Sequence, residues 1–90
     1  SDIQVEILAE PGFEPNKELD LQSLRFGGAE TVNFGKGGKV LRSKRNSENL
    51  VVTFDGRESG FKPEDFAAKL LGRSVKGGVV HGWARMPGKP

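Results

Sequence analysis

Residues Asn49–Met86 read NLVVTFDGRESGFKPEDFAAKLLGRSVKGGVVHGWARM, and this stretch decides the fold class. Leu50-Val51-Val52-Thr53-Phe54 is β-branched and aromatic, and Asp55-Gly56 closes it as a turn. Further on, Arg73-Ser74-Val75 and Val79-Val80 flank Lys76-Gly77-Gly78, the pattern of an antiparallel hairpin. Between them, Phe61–Gly72 has two readings. Pro63 followed by Glu64 and Asp65, with Gly72 at the far end, suits a helix. The hairpin on its C-terminal side instead favours one helical turn at Pro63-Glu64-Asp65 and a strand from Phe66 or Ala67 to about Val75. The strand reading is adopted. The second arm, Val79 to Met86, contains Gly82, which in a strand marks a bulge or a close backbone approach.

The same grammar extends toward the N-terminus. Ile3, Val5 and Ile7 alternate with Gln4 and Glu6, a strand with one buried face. Leu19 and Leu21 alternate next, and the inward face then switches near Gln22-Ser23 before Leu24-Arg25-Phe26, which predicts a bulge. Thr31-Val32-Asn33-Phe34 is a short β-prone piece, and Gly35-Lys36-Gly37-Gly38 a flexible turn. Lys39-Val40-Leu41-Arg42-Ser43 reads as a basic strand at a sheet edge, where lysines discourage unwanted pairing. Asn46-Ser47-Glu48-Asn49 is a turn. About seven short strands result, and the fold expected is an all-β, antiparallel sandwich. Its core is drawn from Val5, Ile7, Leu21, Leu24, Phe26, Val40, Leu50, Val52, Phe54, Phe66, Leu70, Val80 and Trp83.

Ninety residues make one domain, 1–86, with 87–90 as a linker or tail. A chain of this size buries roughly 65% of its unfolded surface, enough to fold alone with a modest margin. The first residue is Ser1, which reads as an excised domain or a processed product. There is no run of membrane-spanning or signal-peptide length, so no membrane insertion is expected. Without cysteine there are no disulfides, thiolate ligands or Cys nucleophile.

Chemistry-bearing residues are few. His81 is the lone histidine, and zinc would need several partners for it, so no metal or other cofactor is expected. Glu64-Asp65 are turn neighbours rather than carboxylates facing across a cleft. Gly35-Lys36-Gly37-Gly38-Lys39 lacks the phosphate-loop spacing, and Asp55-Gly56-Arg57-Glu58 lacks calcium-loop spacing. No G-x-S-x-G is present. The chain is therefore read as a non-enzyme.

Two binding features remain. The net charge of +2 conceals an asymmetry. Asp2, Glu6, Glu10, Glu14, Glu18 and Asp20 face only Lys17 in the first twenty residues, whereas Lys36, Lys39, Arg42, Lys44 and Arg45 form a block without an acid. That block is either a solvated edge or an anion patch. Only Phe34 lies near it, so nucleic acid is not an expected partner. The second feature is Trp83. On a regular strand, His81, Trp83 and Arg85 point the same way. Trp83 is expected to fill the core; were it exposed, the stripe His81–Trp83–Arg85 would be a platform for a sugar ring.

Several motifs together resemble small Ig-like β-sandwich modules that accompany secreted bacterial proteins, polysaccharide-degrading enzymes among them. Ser23-Leu24-Arg25-Phe26-Gly27 matches their S-[LV]-R-F-G opening, and Asn49–Phe54 their following strand. Ser59-Gly60, Leu70-Leu71-Gly72, Gly77-Gly78 and Gly82 match later turns, and Glu64-Asp65-Phe66-Ala67 resembles the corner before strand F of Ig domains, without its usual Tyr. Some relatives carry an Asp-rich loop where this chain has Asn46-Ser47-Glu48-Asn49, which argues against calcium. The resemblance covers residues 19–86. It implies a non-catalytic accessory module of a larger exported, glycoside-processing protein, placed outside the cell, in the periplasm or on the cell surface, with other domains of the parent protein as partners. The alternative is a carbohydrate-binding module that takes polysaccharide on His81, Trp83 and Arg85.

Overall fold

The computed structural model describes residues 2–61 and 67–85. Six strands, β1 (Asp2–Ile7), β2 (Leu19–Gly27), β3 (Gly38–Asn46), β4 (Asn49–Asp55), β5 (Ala67–Ser74) and β6 (Val79–Arg85), form an antiparallel sheet in the order β1-β4-β3-β2-β5-β6. Two short helices, α1 (Pro15–Glu18) and α2 (Ala29–Asn33), and a 3₁₀ turn at Gly56–Glu58 complete it. The sheet curls into a half-barrel, with β1 and β6 as its outer strands.

The all-β expectation holds. Among the described residues the strands number six, not seven, and they form one curled sheet, not the two stacked sheets of a sandwich; Thr31–Phe34 is not a strand, because α2 and its cap occupy it and the Val32 side chain is fully buried. Nor is β3 an edge strand. It lies between β4 and β2, although β2 meets it only at Arg25–Lys39 and Phe26–Gly38. Lys39 sits at that junction; from Val40 onward, Lys44 included, β3 runs past β2, and a register shift between Val40 and Arg42 bends the strand there. The bulge expected near Gln22-Ser23 is present as a register shift between Asp20 and Arg25. Ser23 fills it, its hydroxyl donating to the Asp20 carbonyl at 2.6 Å and accepting the Arg73 N–H at 2.8 Å.

The disputed segment is a strand from Ala67 onward, as expected; the helical turn at Pro63-Glu64-Asp65 and the core residue Phe66 lie outside the described residues. The hairpin around Lys76-Gly77-Gly78 also forms. Ser74 fastens it: its carbonyl accepts the Gly77 N–H at 2.9 Å and its hydroxyl the Gly78 N–H at 3.0 Å. Gly82 is neither bulged nor crowded. The β5–β6 register runs through it unbroken, and a methyl there would meet nothing within 4 Å.

The core lies inside the curl. Ile7, Leu24, Phe26, Leu50, Val52, Phe54 and Leu70 are buried there as expected, with Leu19 and Ala68 added. Val5, Leu21, Val40 and Val80 pack against this cluster half-buried. β4 is buried along its length, with Val51 and Thr53 covered on its other face as well. Trp83 is the correction. It is 61% exposed, because the inward positions of β6 belong to Val80, Gly82 and Ala84.

Where β4 ends, Asp55 caps the 3₁₀ turn, accepting the Arg57 N–H at 3.0 Å and pairing with the Arg57 guanidinium at 2.7 Å. The Arg57 side chain and, next, its backbone N–H lower the Asp55 pKa from 3.8 to about 2. A depressed folded-state pKa adds stability above the unfolded value and loses it as pH falls through the folded one. Asp55→Asn should therefore be less stable than the parent at neutral pH. That difference, followed by urea unfolding, should shrink from pH 3.8 toward 2 and vanish below. A difference that is constant with pH would refute the assignment.

Candidate functional site

The β5–β6 hairpin sets the geometry. Its register places Lys69 opposite Trp83, Leu71 opposite His81 and Arg73 opposite Val79. Since Ala68, Leu70, Val80 and Ala84 belong to the core side, these pairs face outward. Pairing with β2 and β3 extends one row across the sheet: Lys39, Arg25, Leu71, His81. His81 and Trp83 are both exposed on this face, as a sugar platform requires, and the Arg85 backbone pairs with Ala67.

Trp83 is held by a cation. The Lys69 Nζ lies 5.5 Å from the ring centroid, within cation–π range, and donates to Asn33 Oδ1 of α2 at 2.6 Å. α2 packs on β5. One side of the ring is thus braced by charge, and most of the residue stays open to solvent. An exposed indole attracts the C–H face of a pyranose through its negative π-face, while neighbouring N–H groups reach sugar hydroxyls.

Two depressions border this face. One, of about 250 Å³, runs between α2 and the strands and is lined by Ser23, Arg25, Val32, Leu71, Arg73 and Val79. Arg25 is steadied at its rim, Nη1 donating to the Gln22 and Leu24 carbonyls at 3.0 and 2.8 Å. The other, of about 350 Å³, is the open seam of the half-barrel. Its β6 wall carries His81 and Trp83, its β1 side Glu6 and Glu10, and Phe26 and Leu70 also line it.

The basic block does not assemble as one patch. Lys36 precedes β3 in the glycine turn. Arg42 and Lys44 stand opposite Thr53 and Val51, on the outward face of the β1–β4–β3 half, where β1 contributes acids. Arg42 pairs with Asp2 at 3.3 Å. Arg45 is opposite Leu50, one position out of phase with them. Lys39 instead joins the row of Arg25 and His81.

Lys69, Arg73 and Arg25 were missed by the sequence reading. Counting outward from the Lys76 turn places Lys69 opposite Trp83, so that neighbour was available once the segment was taken as strand. Arg25 and Lys39 arrive through long-range pairing that no local pattern announces. Among the described residues, no three His, Asp or Glu side chains converge as metal ligands, and no helix is long and apolar enough to cross a membrane. Compared with protein-family models, curated proteins and solved structures, the chain matches none.

Proposed function

We propose that this chain is a non-catalytic, carbohydrate-binding accessory module of a larger exported bacterial protein that processes polysaccharide. The observation that carries this reading is the exposure of Trp83 on an outer strand, beside His81 and braced by Lys69. A large aromatic left 61% open costs hydrophobic burial that a core position would have gained. A ligand that covers the ring recovers it. The resemblance to Ig-like accessory modules supports the same assignment. On this reading the protein works outside the cytoplasm and is joined to the other domains of its parent.

Trp83 is the sole tryptophan, so its fluorescence reports the site directly. Iodide or acrylamide should quench it readily in the free protein, and a bound polysaccharide should protect it. Trp83→Ala should change unfolding free energy by less than about 1 kcal/mol, as exposed substitutions do, and should abolish polysaccharide retention in affinity electrophoresis. A variant that loses several kcal/mol would return Trp83 to a structural role. Emission that no polysaccharide in a broad panel alters would leave a plain spacer module as the better reading.

A further inference from the structure

We infer that the glycan taken by this face is anionic, a carboxylated or sulfated polysaccharide; this rests on the carbohydrate-binding reading above. The argument is the segregation of charge by register. β2, β3, β5 and β6 contain a single acidic residue, Asp20, beside eight Lys and Arg residues and His81. Around Trp83 the outward positions carry Lys69, Arg73, Arg25 and Lys39, drawn from β5, β2 and β3, and the one acid in register with them, Asp20, stands opposite Arg73 at the end of β2 away from Trp83. The acids of the strands lie otherwise on β1 and at the end of β4, in Asp2, Glu6 and Asp55. Asp55 is engaged by Arg57. Glu6 accepts from the Asn46 and Asn49 amides at 2.8 and 3.0 Å, and Asp2 pairs with Arg42.

This separation also gives the direction of the ligand. Glu6 and Glu10 line the seam opposite His81 and Trp83, so an anionic chain is repelled from that cleft. It runs instead over the outward face of β6, β5 and β2, from Trp83 toward the depression flanked by Arg25 and Arg73. There a sugar ring stacks on Trp83, and its carboxylate or sulfate meets the Lys69 ammonium already held against that ring. Neighbouring acidic groups meet Arg73 and Arg25. Single-stranded nucleic acid is the weaker fit: it stacks successive bases on successive rings, and these strands offer one exposed ring, Trp83.

The test titrates the whole chain with polygalacturonate, heparin, neutral dextran, neutral xylan and single-stranded DNA, reading Trp83 emission and gel retardation. Polygalacturonate or heparin should bind more tightly than either neutral glycan, and the preferred one identifies carboxylate or sulfate as the group read. Binding should weaken as salt rises from about 50 to 200 mM. The double variant Lys69→Gln with Arg73→Gln should weaken binding about tenfold, the sum of two exposed charge contacts. Both replacements are polar and stay on the exposed face, and an unchanged thermal midpoint verifies the fold. Arg42→Gln with Lys44→Gln, on the other half of the sheet, should bind like the parent; an equal loss there would mean bulk charge rather than this face, and would overturn the inference. Neutral glycan bound as tightly, without salt dependence, would overturn the anionic ligand and leave carbohydrate binding standing. If no glycan alters Trp83 emission, both fall. DNA held more tightly than either anionic glycan would replace the glycan with a nucleic acid.

Discussion

Gly27→Ala is expected to prevent the chain from folding. Gly27 is the buried last residue of β2, and a Cβ there would overlap the carbonyl oxygen, carbonyl carbon and Cα of Ser59, all backbone atoms. The Ser59 carbonyl cannot retreat cheaply, because it accepts the Gly28 N–H at 2.8 Å. Side-chain rotation offers no relief, in contrast to Gly72, where an added methyl would press on the Leu24 side chain as well as its backbone. The position matters further because β2 and β3 meet at only Arg25–Lys39 and Phe26–Gly38, immediately beside it. Gly38 has the same constraint, against the Asp55 carbonyl. The turn after β4 is thus packed onto both strands at the point where the two halves of the sheet join. The expected loss exceeds about 4 kcal/mol, a magnitude tied to steric or burial faults of this kind. Gly82→Ala is the matched control. Its methyl enters open space, and it should leave stability within about 0.5 kcal/mol. Thermal unfolding followed by far-UV circular dichroism separates the two: a cooperative transition for Gly27→Ala within a few degrees of the parent would refute the account.

What was legible in the sequence was whatever local pattern encodes. Ile3, Val5 and Ile7 alternate, Leu50–Phe54 is β-prone throughout, and Gly77-Gly78 supplies a turn; each element appears where expected. Even the bulge near Ser23 announced itself, because the apolar phase changes there. Thr31–Phe34 failed because β-propensity is weak over four residues. Gly28 and the glycines after Phe34 let the chain turn at both ends, and burial of Val32 against the outer face outweighs propensity. Trp83 failed for a different reason. Hydrophobicity says that a Trp gains by burial, but the phase of β6 is set by its pairing with β5, and that phase puts the smaller Val80, Gly82 and Ala84 inside. The stripe of His81 and Trp83 was readable as a stripe; its cationic surroundings were not. Arg25 and Lys69 are far apart in sequence, and they share a face only because β2 and β5 pair. A search for basic blocks along the chain instead finds Lys36–Arg45, which the fold divides between faces.

Phe54→Ala should produce the largest loss among core truncations. Phe54 is fully buried, and its neighbours in register are Ile3 on β1 and Val40 on β3. Its ring stacks on Phe26 of β2 at 5.3 Å between centroids, and Phe26 in turn meets Phe61 edge-on at 6.2 Å. Few backbone hydrogen bonds connect β3 to β2, so this aromatic contact carries much of the attachment between β1–β4–β3 and β2–β5–β6. Removing a buried Phe costs about 3–5 kcal/mol, including the cavity that remains. Loss of the ring pair adds about 0.5–1.5 kcal/mol. Total stability at this size is about 5–13 kcal/mol, so the variant loses a large part of its margin or all of it. Phe54→Leu keeps most of the volume and should recover more than half of the loss. Phe34→Ala, at a ring 77% exposed, should cost under about 0.5 kcal/mol. Urea unfolding of the set, read by Trp83 emission and by circular dichroism, decides the point. If Phe54→Ala costs less than about 1 kcal/mol, Phe54 does not hold the halves together. If the two probes part company, with Trp83 on β6 reporting a later transition than the sheet as a whole, the halves have been uncoupled at the contact that Phe54 and Phe26 make.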